Sequence, residues 1–276
     1  MTKSTLILLL GLYSFQFSIH AQSLDYSGPV SSSLAFTKVF EDSPWASLSN
    51  TANLSAYQNI SVGAAYQMRF NMDELSSRAV TLVLPSRVGT FSGLVFQTGY
   101  SKSNYSRYAL SYSRLFGENV KAGMQFNYLS HQIEAADRAD AFYASLGLGF
   151  TISGSFELGV YIQNPEQGKI KYQDDEYALP TFFNTAIKYS IASRFMSVVE
   201  VEKQLEHDLV YKAALQFSFK DKLFVRGGVK GQPVELTFGG AFHIAGLAID
   251  VGFAHHQQLG ITSGAGLTYS FKKKQK

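Results

Sequence analysis

The sequence contains no cysteine and little charge. Its 276 residues carry 24 Lys and Arg against 21 Asp and Glu, and the charged fraction of 16% lies below the roughly 25% of a typical soluble domain. The absence of cysteine excludes disulfide bonds, thiolate metal sites and a cysteine nucleophile. The net charge of +3 is too small to indicate nucleic-acid binding, and no basic helix accompanies it.

Long apolar runs are also scarce, and the one candidate lies at the N-terminus. Residues 1–21 have the features of a signal peptide, with Lys3, an apolar core at Leu6–Leu12 and Ala21 before a predicted mature start at Gln22. A retained membrane anchor or an ordinary buried helix is the alternative. No later segment reaches the roughly 20 apolar residues of a spanning helix. If the mature protein crosses a membrane, it must therefore cross as strands.

Aromatic residues and alternating patterns, by contrast, are abundant. Aromatics make up 14% of the chain, with 22 Phe, 16 Tyr and one Trp. In the closing run Ile261–Phe271, apolar side chains alternate with Thr, Gly and Ser, which predicts a strand with one apolar and one small or polar face. The same unit recurs from Asn59 onward and predicts 14 strands. An even number returns both ends of the barrel to one side, as in single-chain bacterial barrels.

The connections between these strands support the same architecture. Every second connection is a short turn, whereas the intervening ones include the long segment Asn164–Leu179, and outer-membrane barrels have short periplasmic turns and longer external loops. We therefore predict an all-β fold, a closed antiparallel transmembrane β-barrel over residues 59–271 with periplasmic termini. A soluble β-sandwich is the main competitor, but its second face would carry more Lys and Glu. The predicted short turns are Pro85–Arg87, Gly117–Asn119, Ser153–Ser155, Ala192–Arg194, Lys220–Lys222 and Ala245–Gly246.

The polar face of the strands predicts the lining of the lumen. Its charges have both signs, so they either pair across the lumen and fill it or line a polar path. Many inward positions are Gly, which leaves room for a peptide segment. The predicted lumen-lining residues are Lys121, Gln125, Asn127, Glu157, Lys188, Glu200, Glu202, Lys212, Gln216, Arg226, Lys230, Glu235 and Asp250.

Residues 22–58 differ from the rest of the mature chain. They are rich in Ser, show no period of two and contain the only tryptophan, Trp45. We interpret them as a non-barrel segment that either lies in the periplasm or plugs the lumen, with Trp45, Asn50 and Asn53 as candidate plug residues. The alternative is that these residues are a plain linker. Residues 272–276 form a basic periplasmic tail, whose lysines we expect at the lipid head groups.

No constellation of residues indicates catalysis, a metal or a cofactor. His255 and His256 are adjacent on a strand and therefore point to opposite faces, which makes them a poor metal pair. Asp174-Asp175-Glu176 lacks the spaced ligands of a calcium loop, and no nucleophile elbow or ordered triad stands out. We therefore expect no enzymatic activity and no cofactor.

Several segments resemble a known family. The strand Val199–Lys203, the run Leu223–Gly231, the unit Phe238–His255 and the closing GAGLTYSF strand are similar to those of the PorV/PorQ-like barrels, which are outer-membrane proteins of the FadL-type superfamily associated with type nine secretion. Asn50–Leu54 stands where that family carries an Asn-Pro-Ala-Gly-like motif, but it lacks the proline. The resemblance implies no catalytic residue.

The resemblance implies an accessory, shuttle- or anchor-type component of a type nine protein secretion system, with external loops as the contact surface. The alternative is a FadL-like transporter or channel for hydrophobic small molecules. The expected partners are outer-membrane lipid, secreted proteins or secretion-system subunits, and the barrel-assembly machinery, for which Phe271 is the predicted C-terminal aromatic. The expected location is the outer membrane of a Gram-negative bacterium.

Overall fold

A computed structural model describes residue 26 and residues 28–134, 138–172, 175–192 and 194–271. The predicted signal peptide, the first residues of the mature chain and the basic tail lie outside this part of the chain. All structural statements below refer to the described residues.

The strands close into one barrel of 14 antiparallel members, so the predicted fold class and strand number are confirmed. Two further strands, β8 and β9, form a separate hairpin. The bounds are β1 Ser61–Met68, β2 Ser76–Pro85, β3 Thr90–Tyr100, β4 Ser103–Phe116, β5 Val120–Ile133, β6 Ala139–Thr151, β7 Phe156–Gln163, β8 Lys169–Tyr172, β9 Asp175–Ala178, β10 Phe182–Ile191, β11 Phe195–Gln204, β12 Leu209–Phe219, β13 Leu223–Lys230, β14 Glu235–Ile244, β15 Leu247–His256 and β16 Gly260–Ser270.

The first and last strands join to close the sheet. Ser61 of β1 lies opposite Val83 of β2 on one side and opposite Ser270 of β16 on the other. A closed sheet leaves no unpaired strand edge, which is the condition for strands to lie in hydrocarbon. Apart from this closure, β7 and β10 are the one pair of neighbouring barrel strands that are not consecutive in the described chain, because the β8–β9 hairpin is inserted between them.

The outer face of the barrel is an apolar surface. Leu110, Phe126 and Phe142 are 72%, 65% and 73% exposed, and similar Val, Leu, Ile and Phe side chains project outward from every barrel strand. Their inward neighbours along each strand are largely buried. An apolar belt of this extent is unfavourable in water and matches the lipid-facing wall of a membrane barrel.

The two ends of the barrel differ in their connections. The short-turn end carries connections of two to four residues together with both termini of the barrel. The long-loop end carries the insertion between β7 and β10, and the strands β4, β5 and β6 extend toward it with 13 or 14 residues each. We use these two names for the ends below.

The long connection is more ordered than its sequence indicates. Asn164–Leu179 reads as a loop, yet it contains the hairpin of β8 and β9. These strands have only four residues each, which is too short for a period of two to be recognised. Ile170 holds the hairpin against β5 and β6 through a buried cluster with Leu129 and Ala141. The five remaining elements are short 3-10 helices at Ser31–Ser33, Pro44–Leu48, Thr51–Ala56, Arg69–Asn71 and Asp73–Leu75.

None of the helices in the described part of the chain is long and apolar enough to cross a membrane.

Candidate functional site: the occupied lumen and its two cavities

The N-terminal segment lies inside the barrel. We call residues 28–57 the plug, because their side chains are buried against inward-facing residues of the wall. Trp45 and Asn50 have no exposed surface, and Asn53 is also buried. Gln125 of β5 donates a hydrogen bond of 2.7 Å to the Ser47 carbonyl. The structure therefore places all three candidate plug residues within the lumen.

Local polar contacts explain the shape of the plug. The Ser43 side chain accepts a hydrogen bond from the Trp45 amide, and the Asn50 side chain accepts one from the Ala52 amide, so each begins a 3-10 helix. The side-chain amides of Asn50 and Asn53 both donate to the Val39 carbonyl, at 3.0 and 2.7 Å. These bonds fold the second half of the plug back onto the first.

Glycines on the inner wall make room for the plug. A Cβ atom placed on Gly266 of β16 would lie 2.5 Å from the Pro29 ring, and one on Gly63 of β1 would lie 2.9 Å from the Trp45 indole. Real Cβ atoms do not approach other atoms so closely, so these wall positions admit the plug only as glycine. The same relation joins Gly123 to Ala52, Gly147 to Asn50, Gly159 to Val39, Gly228 to Ala35, Gly239 to Ser33 and Gly252 to Ser32.

A second part of the wall holds the plug through charge. The Glu200 carboxylate is fully buried, and its Oε2 accepts hydrogen bonds from the backbone amides of Lys38 at 2.8 Å and Val39 at 3.0 Å. Glu202 Oε2 lies 2.8 Å from Lys38 Nζ and 3.0 Å from Lys212 Nζ. Buried carboxylates are tolerated when they are paired and hydrogen-bonded in this way.

Three further hydrogen bonds complete this arrangement, which we call the latch. It consists of Glu200, Glu202, Lys212 and Asn184 on the wall and Lys38 on the plug. Asn184 Nδ2 donates to Glu200 Oε1 and Glu202 Oε2, both at 2.9 Å. Lys212 Nζ donates to the carbonyl of Phe36 on the plug at 2.9 Å. The two carboxylates are balanced by two ammonium groups, and the plug supplies one of them.

The other predicted lumen-lining residues form separate groups. Lys188 Nζ lies 2.6 Å from Glu157 and 3.2 Å from Asp42 of the plug, and Lys121 Nζ lies 2.7 Å from Glu157. Asn127 donates to the Tyr143 carbonyl. Further pairs that join wall residues to each other are Arg226 with Asp250 at 2.7 Å, Arg226 Nε with Gln216 at 2.7 Å and Lys230 with Glu235 at 2.9 Å.

Sequence reasoning missed the plug side of these contacts. Lys38 and Asp42 lie in a segment without periodicity, so nothing in the pattern indicated that they face the wall charges. Asn184 was not among the predicted lumen-lining residues, although its side chain bonds to both carboxylates. His256 is buried whereas His255 is exposed. The two side chains therefore point to opposite faces, as expected of neighbours in a strand. No group of three or more His, Asp or Glu in the described residues is arranged to hold a metal ion.

A small cavity lies inside the long-loop end. Its volume is about 50 Å³, and the lining includes Phe96, Tyr105, Arg107, Tyr143 and Phe182. Aromatic and apolar side chains therefore form most of its wall, as in sites for small apolar ligands. In this conformation the volume accommodates little more than one water molecule.

The β8–β9 hairpin and its flanks cover this cavity. Asn164, which begins the connection, is buried and donates to the Leu179 carbonyl at 3.0 Å, while its Oδ1 accepts from the Gly168 amide at 2.8 Å. Tyr172 of β8 bonds through its hydroxyl to His131 Nδ1. Burial raises the pKa of the Tyr172 phenol, so the hydroxyl stays neutral. These contacts close the hairpin over the barrel mouth.

A larger cavity, which we call the vestibule, opens at the short-turn end. Its volume is about 580 Å³, and apolar side chains including Leu34, Phe40, Met196 and Phe224 form part of its wall. Glu41 of the plug also borders it and is almost fully buried. Burial raises the pKa of the Glu41 carboxyl to about 7. The Ser31 hydroxyl lies 3.2 Å from Glu41 Oε2.

An apolar seam connects the two cavities. Val39 and Phe40 of the plug form a buried cluster with Tyr161, Ala186 and Val198 of the wall, against which Met196 packs. Phe40 and Met196 reach the vestibule. At the other end of the seam, Lys38 Nζ lies 4.0 Å from the centre of the Phe182 ring, which lines the long-loop cavity. The plug residues 38–40 thus separate the two spaces.

Comparisons with known proteins show the fold. Neither a protein-family model nor a curated protein sequence matches this chain. Among solved structures, it is similar to the toluene transporter TodX of P. putida, with a TM-score of 0.68 and 11% identity, over 91% of this chain and 100% of TodX. It is also similar to the Ralstonia pickettii toluene transporter TbuX, with a TM-score of 0.67 and 12% identity, over 90% and 99% of the two chains.

Both solved structures are named as toluene transporters. The comparisons do not show the PorV/PorQ-like subgroup and bring no support for a role in type nine secretion. At these identities the likeness concerns the barrel fold. What passes through the lumen has to be argued from the residues of this chain.

Proposed function

We propose that this protein is an outer-membrane channel through which small apolar molecules pass, with the long-loop end facing outward. The observation that carries the proposal is a cavity lined mostly by aromatic and apolar side chains at one end of a plugged barrel, with a larger, partly apolar vestibule at the other end. They are joined by a seam of buried apolar side chains. A barrel built only to span the membrane has no need of such a path.

The plug supports passage of apolar rather than polar molecules. An open 14-stranded barrel lies near the size at which barrels begin to hold aqueous channels. Here the plug and the wall ion pairs occupy that space. The long-loop cavity is bounded mostly by Phe, Tyr, Leu and Pro side chains, and in the vestibule Leu34, Phe40 and Met196 lie beside charged side chains. A molecule that gains free energy from leaving water would enter this path, whereas a hydrated solute would lose its hydration.

The comparisons favour the same class of cargo. TodX and TbuX are named as toluene transporters, and a TodX variant is named as a monoaromatic hydrocarbon channel. The aromatic lining of the long-loop cavity is compatible with a ring-shaped apolar guest. The accessory export role has no comparable observation in its favour, because the external hairpin is closed against the barrel by Asn164, Ile170 and Tyr172.

Uptake of labelled toluene by a Gram-negative host that expresses the protein tests the proposal. We expect toluene to enter several-fold faster than in cells without the protein, with no change for glycerol as a small polar control. Phe182→Ser should remove most of the gain, because Phe182 lines the cavity. Phe183→Ser is the matched control, since its neighbouring ring faces outward. Equal toluene entry with and without the protein would contradict the proposal.

A further inference from the structure

The way the plug is attached differs around the lumen, and this difference indicates where it opens. Several sections of the plug meet glycines of the wall, at contacts too close for a larger residue there. Lys38–Phe40, which we call the gate section, also meets one wall glycine, Gly159, but it is in addition held by charged side chains and by the apolar seam. It is also the section that separates the two cavities.

We propose that Glu200 is the positioning residue that holds the gate section closed, and that the path opens there while the rest of the plug stays in place. The inference rests on the proposed function, since it assumes that something passes. Glu200 satisfies two plug amides with one oxygen and two wall donors with the other, Asn184 at 2.9 Å and Lys212 at 3.2 Å. A carboxylate is the one side chain of this size that can accept on both sides.

The latch can release the plug without leaving either carboxylate of the wall unpaired. When Lys38 withdraws, Glu202 keeps its contacts with Lys212 and Asn184, and Glu200 keeps its own contacts with the same two residues. The wall pair is left with one net negative charge that water entering the seam would hydrate. The glycine contacts have no such alternative partners, because a glycine offers only backbone.

The apolar seam gives the gate section a place on the transport path. Val39 packs between Tyr161, Ala186 and Val198, and Phe40 continues the contact toward the vestibule. Displacement of these two side chains would join the vestibule to the region of Phe182 along β7, β10 and β11.

Engineered disulfides test the location of the gate, and the absence of native cysteine makes them unambiguous. Val39→Cys with Gly159→Cys joins the gate section to β7, because a Cβ on Gly159 would overlap the Val39 side chain. Ser32→Cys with Gly252→Cys is the matched control, because a Cβ on Gly252 would overlap the Ser32 hydroxyl in the same way. The first bond should reduce toluene uptake at least about tenfold and reduction should restore it, while the second leaves uptake unchanged.

A block by both bonds would show that the whole plug must move, and a block by neither would show that the gate section does not move; either result overturns the inference. If the bonds fail to form, the single variant Glu200→Gln decides. Its amide can satisfy the plug or the wall donors but not both, so we expect about a tenfold rise in opening, the factor of one charge-assisted hydrogen bond. Unchanged opening in Glu200→Gln contradicts the role of the residue.

Opening is measured without any cargo by thiol labelling of the single variant Val39→Cys, whose position is fully buried in the closed plug. Labelling should be slow and should accelerate when Glu200→Gln is added, whereas Glu235→Gln, which breaks a wall pair, should have no effect. Glu200→Asp should restore part of the slow labelling, because it keeps the charge. Accelerated labelling without toluene uptake would contradict the proposed function but support the role of Glu200 in holding the gate section. Unchanged labelling with normal toluene uptake would contradict the role of Glu200 but support the proposed function.

Discussion

The two sides of the lumen hold the same plug by different physics. Along β14, β15, β16 and β1, as also at single positions of β5, β6, β7 and β13, the wall meets the plug at glycines, so contact depends on shape. Along β10, β11 and β12 the wall meets it through Glu200, Glu202 and Lys212, so contact depends on charge. A steric contact is lost with a small displacement, whereas a charged group can exchange one partner for another.

The two kinds of contact therefore have different roles in holding the plug. The glycine side fixes where the plug sits, because any side chain added there would displace it. The charged side determines whether residues 38–40 remain docked against the wall. A plug attached only by glycine contacts would have no section that is separately released, and one attached only by charges would have no defined position.

Removal of the charge on Lys38 should have the largest effect on the free energy of plug docking. In Lys38→Met, Glu202 loses the ammonium at 2.8 Å, and the loss of one partner of a buried pair costs about 3–5 kcal/mol. We expect the free energy of plug docking to fall by this amount, as measured by urea titration of Trp45 fluorescence in folded barrels. Lys121→Met is the control, because the Lys121 ammonium pairs with the wall residue Glu157 and its removal should leave the free energy of plug docking nearly unchanged. Equal losses in the two variants would contradict the latch.

Overpacking on the glycine side should rank second. In Gly266→Val the new Cβ would lie 2.5 Å from the Pro29 ring, and we expect a loss of about 3 kcal/mol in plug docking, the upper part of the usual cost of overpacking. Trp45 emission should shift to longer wavelength, because the indole also packs near Gly266. Gly93→Val is the control, since the nearest atom to its new Cβ is 3.9 Å away on Leu110. A docked plug in Gly266→Val, with unshifted emission, would show that the contact does not position it.

The dependence of plug docking on pH should be the smallest effect. It arises from a residue of the plug itself, not from either side of the lumen wall. The pKa of Glu41 is raised by burial to about 7 in the docked plug, from 4.5 when exposed. The docked plug therefore binds the proton more tightly, so its stability is greatest at low pH and falls as the pH rises from about 4.5 to about 7. Between pH 5.5 and 8 the loss should be about 2 kcal/mol, at 1.36 kcal/mol per pKa unit.

The same titration of Trp45 fluorescence at several pH values measures this loss. Glu41→Gln should abolish most of the slope, because the amide does not ionise. A slope that persists in Glu41→Gln would assign the dependence to another group, and a docking free energy that rises with pH would contradict the burial of the carboxyl. Neither result would alter the contrast between the two sides of the lumen.

The fold followed from local pattern to an unusual extent. The strict alternation in runs such as Ile261–Phe271 allowed the number of strands, the outward faces and the short turns to be predicted, because a period of two is imposed by strand geometry itself. The hairpin at β8 and β9 was missed. Its strands are too short for a pattern, and it forms because Ile170 and Tyr172 find partners on β5 and β6.

The candidate site was predictable only in part. The inward charges Glu200, Glu202 and Lys212 were evident from their position in the alternation, since an inward residue of a strand remains inward whatever it contacts. Their pairing with Lys38 was not evident, because it joins residues 162 or more positions apart in the chain. Likewise, the inner glycines suggested space, but nothing in their spacing indicated that Pro29 or Trp45 would fill it.

The sequence by itself determined which residues face lipid and which face the lumen, the even strand number and the placement of short turns, because these depend on local backbone geometry and on the polarity of each side chain. Only the tertiary structure decided what occupies the lumen. Closure of the barrel brings distant inward faces within reach of a segment that has no pattern of its own, and the close contacts at Gly266 and the charges at Glu200 then select where that segment lies.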